Sequence, residues 1–116
     1  MRPEEITAGD TFQITYKHRQ DGELTDLPEG YDLLFGLRQE GSAEVIIYSY
    51  RNGDIENPDN GVYIKRIDHE LSKALSGTIV IEMVIYSRDG SVVLHCGKPR
   101  RVEVNPSFMN EHLDIE

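Results

Sequence analysis

Residues 11–17, Thr-Phe-Gln-Ile-Thr-Tyr-Lys, alternate without a break, with Phe12, Ile14 and Tyr16 separated by polar positions. Successive side chains of a strand point to opposite faces, so this pattern predicts a half-buried strand opened by Gly9 and Asp10. The same period returns in residues 31–39, where Tyr31, Leu33, Phe35 and Leu37 share a face. Gly36, in mid-strand, predicts a bulge or a close backbone approach. Residues 43–50 read as a third strand, with Ala43, Val45 and Ile47 on one side and Ile46, Tyr48 and Tyr50 on the other. Residues 62–67 make a fourth. Residues 78–87 carry the strongest pattern: Ile79, Ile81, Met83 and Ile85 on one face, Val80, Val84 and Tyr86 on the other. Asp89-Gly90 then predicts a hairpin with a type I′ turn. Residues 92–96 run back, Gly97 and Pro99 break the chain, and residues 100–105 form a last strand with Val102 and Val104 inward.

Between these runs the polar stretches carry turn signals. Asp21-Gly22 is one, and Pro28 and Gly30 close the loop after it, with residues 23–27 as a short edge segment. Gly41-Ser42 is another. Residues 51–61 hold Asn52-Gly53, Asn57-Pro58 and Asn60-Gly61 and read as an exposed loop. The one helical pattern is residues 68–75: Asp68 caps it, Leu71, Ala74 and Leu75 share a face, and Gly77 ends it. About seven strands with turns between them and almost no helix predict an all-β, antiparallel β-sandwich. It spans residues 1–105, and residues 106–116 form a C-terminal tail without a clean period. No internal repeat or linker divides the chain.

Composition narrows the partners. The 116 residues suit one domain, and 21 acidic against 12 basic side chains give a net charge of −9. Phosphate binding needs a clustered cationic face, so nucleic acid is not an expected partner. The single cysteine, Cys96, excludes an intrachain disulfide and fits a reducing compartment. Residues 1–10 lack the apolar stretch of a signal peptide. The apolar run 79–85 is interrupted by Glu82 and is too short to span a bilayer. The expectation is a chain made in the cytoplasm with no membrane partner.

Several residues invite a chemical reading. Cys96 follows His95 and precedes Lys98, Arg100 and Arg101, the surroundings of an activated thiol. On a strand, however, His95 and Cys96 point to opposite faces, and Cys96 continues the core phase of Val92 and Leu94. A packed structural thiol is therefore expected, with the three cations forming a basic rim. His18, His69 and His112 have no zinc spacing. Asp54, Glu56 and Asp59 suggest calcium, but Pro58 and Asp59 stand where an EF-hand loop needs an oxygen ligand and a glycine. Asp68-His69-Glu70 has no serine elbow to complete it. Tyr48, Tyr50 and Tyr63 could offer a platform to sugar rings, though cross-strand aromatics more often pack on one another. No catalytic residue, metal ligand or cofactor is assigned. A carbohydrate- or ligand-binding module is the alternative function.

Taken together, Gly9-Asp10-Thr11 opening a strand, Asp21-Gly22 before Asp26-Leu27, Leu37-Arg38 closing a strand, Leu75-Ser76-Gly77-Thr78 leading into a long one, the Asp89-Gly90 hairpin, the return to Gly97 and Val102-Glu103-Val104 resemble a family. It is the immunoglobulin-like β-sandwich domains of phage and prophage structural proteins, similar to the N-terminal domain of phage upper baseplate proteins. The resemblance covers residues 5–105. Where the family often has Leu-Thr-Gly after the first turn, this chain has Leu27-Pro28-Glu29-Gly30. The resemblance implies no catalytic residues. It implies a structural or assembly module of a tail or baseplate particle, with protein partners: a homo-oligomer or neighbouring virion proteins.

Overall fold

The structure, a computed structural model, describes residues 4–115. Residues 1–3 and 116, at the outer ends of the expected sandwich and tail, lie outside the described residues. Eleven strand segments, one short helix and one 3-10 turn occur among those described. In chain order they are β1 (Glu4–Thr7), β2 (Phe12–Lys17), β3 (Arg19–Gln20), β4 (Glu23–Leu24), β5 (Tyr31–Gln39), β6 (Ile46–Ser49), β7 (Glu56–Asp59), β8 (Val62–Ile67), α1 (His69–Ser72), β9 (Gly77–Ser87), β10 (Val93–His95) and β11 (Arg100–Asn105). The 3-10 turn is Asn110–His112. The chain is all-β, as its periodicity predicts. No helix among the described residues is long and apolar enough to cross a membrane.

One sheet runs β1-β11-β9-β5-β6, and β10 also pairs with β9. A second runs β2-β8-β7, and β3 and β4 form a small separate hairpin. Ile14, Tyr63 and Ile67 of the second sheet share one core with Leu33, Phe35, Ile79 and Ile81 of the first. Fully burying one of these aliphatic side chains stabilises the fold by roughly 1.5–3 kcal/mol. Alternation therefore does what the sequence pattern requires: the in-phase residues of β2, β5, β9 and β11 meet between two layers.

β9 organises the first sheet. β5 pairs along its length, from Tyr31↔Ser87 to Gln39↔Ile79. On its other side, β10 covers Val84 to Tyr86 and β11 covers Gly77 to Ile81. Four residues, Cys96 to Pro99, face only Glu82 and Met83, so the returning strand bulges there. β1 lies against β11 in parallel, from Glu4↔Val102 to Thr7↔Asn105.

The structure departs from the sequence expectations in several places. Asp89-Gly90 is not a type I′ turn, because only Gly90 has positive φ (80°). The hairpin is instead a four-residue loop closed by Ser87 and Val92, with Gly90 N–H donating to the Ser87 carbonyl at 2.9 Å. The Asp89 carboxyl accepts from Ser87 Oγ, Ser91 Oγ and Ser91 N–H, which holds the loop in that form. The two-residue turn with positive φ at both positions is Asp21-Gly22, at 53° and 82°, between β3 and β4.

Gly36 marks neither a bulge nor a close approach. Its register is continuous with both β6 and β9, and an added Cβ would meet only the Glu82 carbonyl at 3.9 Å. The expected loop at residues 51–61 contains β7, with Ile55 buried and Pro58 on the open edge of the second sheet. The helix stops after one turn. Asp68 caps it as expected, accepting from Leu71 N–H at 3.0 Å, but Gly77 opens β9 rather than ending the helix. The tail is pinned where Asn110 Nδ2 donates to the Ala8 carbonyl at 2.8 Å and its amide packs over Gly9.

Candidate interaction surfaces

Cys96 sits at the bulge between β10 and β11, part-buried against the core. Its N–H donates to the Met83 carbonyl, while the preceding residue, His95, pairs with Val84, so strand alternation separates thiol from imidazole. Burial pushes the thiol pKa up; interactions with the Tyr16 hydroxyl and the Ile85 backbone pull the other way and are outweighed. A nucleophilic cysteine needs the opposite shift. The Tyr16 hydroxyl shares a 3.0 Å hydrogen bond with His18 Nδ1. Its own pKa is pushed up to about 12, first by burial and then by the neighbouring thiol and Tyr63. The Cys96 thiol and the Tyr16 phenol therefore keep their protons at neutral pH.

The basic rim is largely spent within the chain. Arg100 pairs with Glu4 across β11 and β1, and Arg101 pairs with Glu40 at 2.9 Å. Lys98 remains exposed beside them. The three tyrosines do not form an outward platform. Tyr63 is buried, accepts from Leu27 N–H at 2.8 Å and meets the Tyr50 ring edge-on at 5.0 Å. Tyr48 and Tyr50 pack partly against the core, with Lys65 over one ring and Arg51 over the other.

In the acidic loop, Asp54 also acts locally. Asp54 accepts from Ser49 N–H at 3.0 Å, and among the described residues no group of three or more acidic, histidine or cysteine side chains is placed to hold a metal ion. His69 Nδ1–H donates to the Gly9 carbonyl at 2.8 Å, since a carbonyl can only accept. Asp68 caps α1 and Glu70 pairs with Lys73 at 2.9 Å. Asp32, which the periodicity does not single out, is buried and accepts from Ser49 Oγ, Leu33 N–H and Arg51 N–H, tying β5 to the turn after β6.

What stands open is apolar surface. Val92, Val93 and Leu94 are exposed on the β10 side, and among the described residues no strand pairs with the far edge of β10. Val45 and Ile47 are exposed on the β6 side of the same sheet. Phe108, Met109, Leu113 and Ile115 are exposed along the tail. Val92-Val93-Leu94 and Val45-Ile46-Ile47 share a readable signal: three consecutive apolar residues leading into a strand, β10 and β6, put apolar groups on both faces. Compared with models of known protein families, the chain matches none, and compared with curated proteins it again finds no match.

Proposed function

We propose that this chain is a non-catalytic building block, an immunoglobulin-like sandwich that takes its place in a tail- or baseplate-like phage or prophage particle. The observation that carries the reading is the strand order. In the immunoglobulin arrangement one sheet pairs the second, fifth and fourth strands, and the other pairs the third with the sixth and seventh. β2-β8-β7 corresponds to the first set, and β5-β9 with β10 and β11 to the second; β6 extends that sheet as the added strand of variable-type domains does. The turn and strand punctuation resembling phage structural domains falls on these same elements.

The surface supports an assembly role. Asp32, Asp54, Asp68, His69, Glu70 and Cys96 are engaged in capping, pairing or packing, whereas apolar groups are left open at an unpaired edge, a setting suited to strand addition by a protein partner. The test is mixing the purified chain with tail and baseplate proteins encoded beside its gene, followed by size-exclusion chromatography with light scattering. Co-elution with at least one of them, lost on Leu94→Asp, is the expected result. A chain that elutes apart from all of them overturns the proposal.

A further inference from the structure

An asparagine side chain can react with the main chain that follows it. The reaction needs an N–H on the next residue, room for the side chain to fold back on it, and a side-chain amide that nothing holds. Of the chain's five asparagines, Asn57 and Asn105 precede Pro58 and Pro106, which carry no N–H. Asn110 precedes Glu111, whose side chain crowds the attack, and its amide is held by the Ala8 carbonyl at 2.8 Å. Asn52 and Asn60 both precede glycine, which has no Cβ to hinder the approach. The sequence makes these two equivalent, and the fold does not.

Gly61 is buried, and the Thr25 nitrogen lies 2.6 Å from the position a Cβ would take there. Its N–H donates to Asp26 Oδ1 at 2.6 Å, and Asn60 Nδ2 donates to the Leu24 carbonyl at 3.0 Å. Taking the proton from an N–H bonded to a carboxylate is opposed twice: a charge-assisted bond is lost, and a negative charge forms beside another. Gly53, by contrast, is exposed, and a Cβ there would meet nothing within 4 Å. Its N–H donates to a neutral acceptor, the Tyr50 carbonyl, at 3.0 Å. A bond of that kind in an exposed turn opens at small cost. Asn52 is tied through its backbone N–H to Ser49 Oγ, and among the described residues its side-chain amide makes no hydrogen bond.

We propose that Asn52 is a site of spontaneous deamidation in the folded chain, and that the Asp26 carboxylate and the packing at Gly61 lock Asn60 against the same reaction. Solvent base removes the Gly53 N–H proton, the nitrogen bonds to Asn52 Cγ, and the Cγ–Nδ2 bond breaks with loss of ammonia, leaving a cyclic succinimide. Water then adds to one of the two ring carbonyls and the ring opens. Opening on one side gives aspartate. Opening on the other gives isoaspartate, in which the main chain runs through the side-chain carbon. Water replaces ammonia, the new carboxyl gives its proton to the released ammonia, and nothing is oxidised or reduced. The net charge passes from −9 to −10. The new carboxylate stands in the hollow that Asn52 shares with Asp32, Ser49 and Arg88. The isoaspartyl form lengthens a turn that two 3.0 Å bonds close, Asp54 N–H to the Ser49 carbonyl and Ser49 N–H to Asp54 Oδ2. The connection between β6 and β7 thus changes as the protein ages, while the β7–β8 hairpin keeps its form.

This site is independent of the particle reading, and its test contains no particle component, so failure here leaves that reading standing. The full chain is aged in mildly alkaline buffer, once folded and once unfolded in urea. Peptide mapping with fragmentation places the mass gain of the amide-to-acid exchange at residue 52 or 60. In the folded chain Asn52 should convert at least about tenfold faster than Asn60, the scale of one hydrogen bond to a charged group. In urea the two rates should come together. Asn52→Gln should abolish the acidic form that isoelectric focusing resolves in the aged wild-type chain. Asp26→Asn, which keeps an acceptor oxygen but removes the charge, should release Asn60 severalfold. Rates within tenfold of each other while circular dichroism shows the chain folded overturn the proposal. So does an Asn52 that stays intact in the folded chain over the time that converts it in urea, or an Asn52→Gln chain that turns acidic as fast as wild type.

Discussion

Asp89 shows how a single carboxyl chooses a turn. The dipeptide Asp-Gly occurs twice, and only Asp21 takes the left-handed conformation that a type I′ turn demands. At Asp89, two neighbouring serines supply donors, and the side chain is worth more as their acceptor than the backbone is in the tighter turn. Those bonds, led by the one from Ser91 Oγ, lower the Asp89 pKa from 3.8 to about 2. Because the folded value is depressed, the contribution of these bonds is present above pH 3.8 and is lost as the pH falls through about 2. The Ser91 amide resonance should therefore titrate near pH 2, and in Asp89→Asn that transition should vanish. A Ser91 midpoint at the ordinary carboxyl value would contradict the bonding described.

At the scale of elements, the glycines separate into those a turn needs and one that packing needs. Gly22 and Gly90 have positive φ but open space around them. Gly61 has both positive φ and a neighbour: a Cβ there would lie 2.6 Å from Thr25 N. It carries the β7–β8 hairpin against the backbone leaving β4. Gly61→Ala should destabilise the chain by about 1–3 kcal/mol in urea unfolding, through overpacking added to strain. Gly22→Ala should cost about 1 kcal/mol, the strain alone. Equal losses would show that the close approach carries no weight.

The elements also divide by how they are specified. β5, β8 and β11 have the limits that their alternation predicts, because each one's own side chains meet the core. β1 and β7 escape a sequence reading because they are defined by what they pair with. β1 has one apolar residue, Ile6, and rests on a strand nearly a hundred residues away; β7 contains Asn57 and Pro58. The same limit applies to the surfaces. Alternation separates His95 from Cys96 and puts the thiol inward, as the structure has it. It cannot tell that the outward Ile47 and Val93 stay exposed, since phase fixes a face but not what lies over it.

For the whole molecule, the part-buried phenols and thiol tie stability to alkaline pH. Tyr16 is raised to about 12, and Tyr48, Tyr63 and Cys96 are raised by burial as well. Folded values above the unfolded ones favour the native state fully below the ordinary values, 9.0 for the thiol and 10.0 for the phenols. That stability declines as the pH rises through the folded values. The urea midpoint should hold steady up to about pH 8.5 and fall between about pH 9 and pH 12. Tyr16→Phe should reduce that fall. A midpoint level across this range would mean the phenols are solvated.

The parallel pairing of β1 with β11 has a mechanical consequence. Glu4 lies beside Val102 and Thr7 beside Asn105, so the chain enters this ladder at one pole and leaves it at the other. A tension applied between the two ends pulls the paired strands lengthwise past each other. The hydrogen bonds of the ladder then bear the load together, in shear, instead of parting one after another as in a peeled hairpin. The Arg100–Glu4 pair lies at the entry end of this seam and adds a side-chain clasp to it.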